Sequence, residues 1–197
     1  MRLTLRSIPL TVVPILLAVL QVGCIPAGGV FYAVSAPEGT TVGDQCGGSS
    51  GPHDILEIIR NGVRITVGLA TGVSRSGSFV VIELRVPSTS RVDFPLSQIQ
   101  LSEVKLDTPI ATGAPILYVF RDGGFKELQS DRMLEGSAFI DPIYTASVFR
   151  VELKFDNPVP DEINLVLPAM SINGNSYLSL KINYKKTRGT WISLVNC

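Results

Sequence analysis

Gly47-Gly48-Ser49-Ser50-Gly51 reads as G-x-S-x-G, and His53, the sole histidine, lies two residues on. The chemistry this suggests is acyl transfer by a serine activated by histidine. That motif works as a strained turn from a buried strand into a helix, with the acid and then the histidine far downstream. Here it follows the polar run Pro37 to Asp44, and the histidine sits beside it. The stretch therefore reads as a Gly/Ser-rich loop. Cys46, His53 and Asp54 offer three zinc ligands, one short of a structural site, and His53 reads as an exposed loop residue. Asp122 and Asp141 lack the D-x-D-x-D-G spacing of a calcium loop. The 17 acidic residues could supply two carboxylates for glycoside hydrolysis, but no spacing singles out a pair. The expectation is a non-catalytic protein with no cofactor and no metal site. A hydrolase using dispersed carboxylates is the alternative.

The densest basic run is Lys185-Lys186-Thr187-Arg188. It reads as a solvated hairpin tip whose charges discourage edge pairing. The functional alternative is contact with lipid headgroups or an acidic partner. Tyr177, Tyr184 and Trp191 fall in alternating rows and read as core or sheet-edge residues. The alternative there is an aromatic platform for a glycan or other small ligand. The whole chain carries 17 basic and 17 acidic side chains. Such a balance provides no electrostatic footprint for nucleic acid and no polybasic patch for anionic lipid.

The elements that must carry these residues are strands. Phe149 to Phe155 alternates apolar and charged side chains, as a half-buried strand does. Leu178, Leu180, Ile182 and Tyr184 form a second row, Val80 to Val86 a third, and Ile163 to Leu167 a fourth. Weaker strands are expected over Val30–Val34, Val63–Leu69, Ile99–Leu106, Ile116–Phe120 and Trp191–Val195. Asp54 to Gly62 fits a short capped helix, but the β-branched residues around Asn61-Gly62 favour a type I′ hairpin. Phe125 to Glu135 has room for one or two helical turns. About eight to ten short antiparallel strands predict an all-β chain folded as a two-sheet sandwich.

The N-terminus carries an address. Arg2 and Arg6 precede a mostly apolar run from Ile8 to Leu20, too short to span a bilayer comfortably. Val22-Gly23-Cys24 follows and resembles the lipobox of bacterial lipoproteins, with Gln21 where that family usually has Leu. The resemblance implies a signal peptide over 1–23 and acylation of Cys24. By length, a mature chain of about 170 residues is expected to be a single domain over 30–197, after a short linker over 24–29. Cleavage before Cys24 leaves 15 basic and 17 acidic residues, a net charge of about −2. The mature chain also looks like the immunoglobulin-like lipoproteins of bacterial envelopes, through Val63–Val86 and Leu167-Pro168-Ala169-Met170-Ser171-Ile172-Asn173-Gly174. The Cys–Trp–Cys arrangement of true immunoglobulin domains is absent. With Cys24 acylated, the three cysteines leave one pair, and a Cys46–Cys197 disulfide is expected in an oxidising compartment. Free thiols, or a Cys24–Cys46 bond, are the alternatives. The expected place is outside the cytoplasm, held to the cell membrane or outer membrane by lipid, with another envelope protein as partner. Ile25, where Asp often marks inner-membrane retention, favours the outer membrane. A secreted protein and an uncleaved anchor are the competing readings.

Overall fold

The computed structural model describes residues 24–42, 54–70, 78–128, 133–135, 146–155 and 158–194. Cys46, the Gly47–Gly51 stretch, His53, Asp141 and Cys197 lie outside them. Along the chain run β1 (Cys24–Ser35), β2 (Thr40–Val42), β3 (Ile55–Arg60), β4 (Val63–Ala70) and β5 (Ser78–Pro87). Then come β6 (Arg91–Asp93), a 3-10 turn at Leu96–Gln98, β7 (Gln100–Glu103), β8 (Ile116–Arg121), β9 (Gly124–Glu127) and β10 (Met133–Glu135). The last are β11 (Ala146–Phe155), β12 (Glu162–Leu167), β13 (Met170–Ile172), β14 (Asn175–Tyr177) and β15 (Leu180–Leu194).

All named strand pairs are antiparallel. A seven-stranded sheet has the order β2-β3-β4-β5-β11-β8-β9. Two four-stranded sheets have the orders β1-β15-β12-β7 and β10-β6-β13-β14. One apolar cluster takes side chains from all three sheets, so the sheets pack together as a β-sandwich. The strand order is the molecule's own. β2 to β5 run as a meander inside one broad sheet, whereas immunoglobulin constant-type domains divide seven strands into four and three.

The alternating rows point where their period requires. Val80, Ile82, Leu84 and Val86 are fully buried, as are Ile163, Leu165 and Leu167. Three hairpins turn on two-residue loops with both φ angles positive: Asn61-Gly62, Asp122-Gly123 and Asn173-Gly174. That is type I′ geometry, whose twist matches the flanking strands. Residues 54–62 are thus a strand and its turn, as the β-branched pattern predicts.

Five expectations are corrected. Lys185 to Arg188 is not a hairpin tip: β15 passes straight through it and pairs with β1 from Ser35↔Asn183 to Cys24↔Leu194. The partner strand lies some 150 residues away in sequence, so no local signal announced it. Gly189 lies within that pairing, where a Cβ would lie 3.1 Å from the Phe31 ring. Leu178 is 85% exposed, because the row it joined crosses the link where the chain leaves β14 for β15. Phe125 to Glu135 contributes β9 and β10 instead of helical turns, with Leu134 fully buried. The strand expected over Ile99–Leu106 stops at Glu103, leaving Leu106 exposed. Residues 24–29, read as a linker, belong to β1.

Candidate functional site

β12 begins at Glu162, opposite Lys185, so beyond that pair β15 has only β1 beside it. A two-stranded ribbon leaves the sheet at this point. On β15 the core-facing row is Leu180, Ile182 and Tyr184, all buried. Period two puts Lys186 and Arg188 next on the same face. The row changes from apolar to cationic where the body of the sandwich ends.

A groove of ≈ 520 Å³ opens there. Its cations are Lys105, Lys185, Lys186 and Arg188, and its acids are Asp161 and Glu162. The acids are engaged: Asp161 pairs with Lys186 at 3.1 Å, and Glu162 accepts a hydrogen bond from Asn183 Nδ2 at 3.3 Å. Among the described residues no ion pair holds Lys105, Lys185 or Arg188. The floor is fixed by backbone and phenol. Lys186 N donates to Asp161 O at 2.7 Å, and Tyr32 Oη donates to Pro160 O at 2.9 Å. Burial, and then the Asp161 carboxylate, push the Tyr32 phenol up to about 12.

A smaller cleft of ≈ 290 Å³ follows the β2–β3 edge. Its main feature is Arg60, buried between elements. Its Nε donates to Glu38 Oε1 at 2.7 Å, and its guanidinium carbon lies 5.1 Å from the Tyr177 ring centroid. Tyr177 is therefore a stacking partner of an arginine, and Tyr184 is a core residue. The sequence offered no sign of the Arg60 arrangement, whose three members come from separate segments.

Other carboxylates serve structure. Asp122 takes a hydrogen bond from Lys126, which lowers its pKa, and Glu83 sits between Arg85 and Arg150 at 3.2 and 3.4 Å. Asp54 is buried at the start of β3. Among the described residues no group of three His, Cys, Asp or Glu side chains could hold a metal ion, and no helix is long and apolar enough to cross a membrane. Cys24 is the first residue of β1, opposite Leu194 at the far end of the ribbon. The structure does not bring Cys24 to the cationic groove. Arg188 pairs with Val30, six residues away and so about 20 Å along the strand. No protein-family model, curated protein or solved structure matches this chain.

Proposed function

We propose that the protein is a lipid-anchored extracytoplasmic module of the cell envelope that binds a partner and catalyses nothing. The observation that carries this reading is the sequence of Arg2, Arg6, the apolar run and Gly23-Cys24, followed at once by folded structure from Cys24. A cysteine acylated at that position would join the sandwich through a twelve-residue strand instead of a loose tether. The likeness of Val22-Gly23-Cys24 to a lipobox supports the same place. The partner is another envelope component, and a carbohydrate or small ligand is the second candidate.

Expressing the whole chain as wild type and as Cys24→Ala tests the anchor. Wild type should take up a fatty-acid analogue and partition into detergent. The variant should take up none and leave the membrane fraction or stall unprocessed. Equal labelling and partition of the two would contradict the reading. We further propose a Cys46–Cys197 disulfide closing a loop of about 150 residues, which the chain-entropy account values at roughly 5 kcal/mol. Thiol alkylation of folded, oxidised protein should leave both cysteines unmodified, and alkylation of both would refute the bond.

A further inference from the structure

We infer that the groove where the β1–β15 ribbon leaves the sheet is a binding site for a phosphate group. Four cations line it against two acids, a local excess of two positive charges. The whole chain balances at zero, so the remainder of the molecule carries a net −2 against it. Both acids already have partners, Asp161 in Lys186 and Glu162 in Asn183, while Lys105, Lys185 and Arg188 have none among the described residues. An anion placed in the groove is attracted by each of these cations. A phosphate matches the charge and offers several acceptor oxygens to an arginine fork and two lysine ammonium groups.

The backbone contributes independently of the side chains. Lys186 N–H points away from β1, toward Asp161 O. Two residues on, Arg188 N–H faces the same side by the period of the strand, past the start of β12. It adds a main-chain donor on the side of the lone ribbon where the cations gather. The site stands whether or not Cys24 is acylated. Its phosphate could belong to a soluble ligand or to a lipid headgroup. A headgroup requires the ribbon to lie along the membrane, because a ribbon standing upright from Cys24 would lift Arg188 about 20 Å, some two Debye lengths.

The test is amide NMR of the full chain in neutral detergent at constant ionic strength. Inorganic phosphate is titrated in one arm, and micelles doped with phosphatidylglycerol in another. Saturable shifts at residues 105 and 185–188 are expected. Saturation with phosphate identifies a free anion as sufficient, and saturation only with doped micelles identifies the headgroup. A Lys185→Gln/Arg188→Gln variant should bind about tenfold more weakly or worse, with its other amides unmoved. Lys126→Gln, whose lysine pairs with Asp122 away from the groove, should bind as wild type does. Shifts that chloride reproduces, that never saturate, or that persist in the double variant would overturn the assignment.

Discussion

Cutting Leu153 back to Ala should cost about 2–5 kcal/mol, because the side chain is 1% exposed in the C-terminal half of β11 and a cavity would remain. Chemical denaturation measures it. A swap of the exposed Lys181 should stay within about 0.5 kcal/mol. Two tyrosines make a sharper contrast. Tyr184 Oη is buried with no hydrogen-bond partner, so Tyr184→Phe should leave stability unchanged or raise it by about 1 kcal/mol. Tyr32 Oη is bonded to Pro160 O, so Tyr32→Phe should cost about 0.5–1.5 kcal/mol. The sign also shows in pH. The Tyr32 phenol ionises near 12 in the fold but near 10 when unfolded, so its contribution is complete below pH 10 and declines as pH rises toward 12. Denaturation midpoints measured across that window should fall less in Tyr32→Phe than in wild type.

At the scale of elements, glycine positions separate backbone conformation from space. Gly39 and Gly123 both have positive φ, but a Cβ at Gly39 would lie 2.8 Å from Glu57 O, whereas Gly123 faces open space. Gly123→Ala should cost about 1–2 kcal/mol from conformation alone. Gly39→Ala should cost more, since a backbone atom of β3 must move, and paired thermal melts will rank them. The β1–β15 ribbon makes another prediction. Amides of 33–35 and 183–185 should exchange more slowly than those of 24–31 and 187–194, which have no third strand beside them. Equal protection along the ribbon would mean that something else covers its far half. The elements legible in the sequence were those fixed by their neighbours. Asn61-Gly62 and Asn173-Gly174 announce their turns, and Phe149 to Phe155 announces its buried face. What long-range pairing decides was hidden. β15 reads locally as two strands about a charged tip, and only β1 makes it one.

On the scale of the whole molecule, apolar rows from three sheets meet in one core, which is why short period-two segments sufficed to predict an all-β sandwich. The groove was half visible: the run Lys185 to Arg188 stood out, but Lys105 and Asp161 join it only through the fold. Arg60, Glu38 and Tyr177 gave no hint of their meeting, since stacking on a distant ring leaves no local pattern. The N-terminal address depends on no fold at all, and the account of where the protein works rests on it. The mass of the N-terminal peptide of protein extracted from membranes tests that account most directly. The account predicts a peptide that begins at Cys24 and carries acyl groups on it. An unmodified peptide beginning beyond Cys24, or one with Cys24 internal and its thiol free, would contradict it.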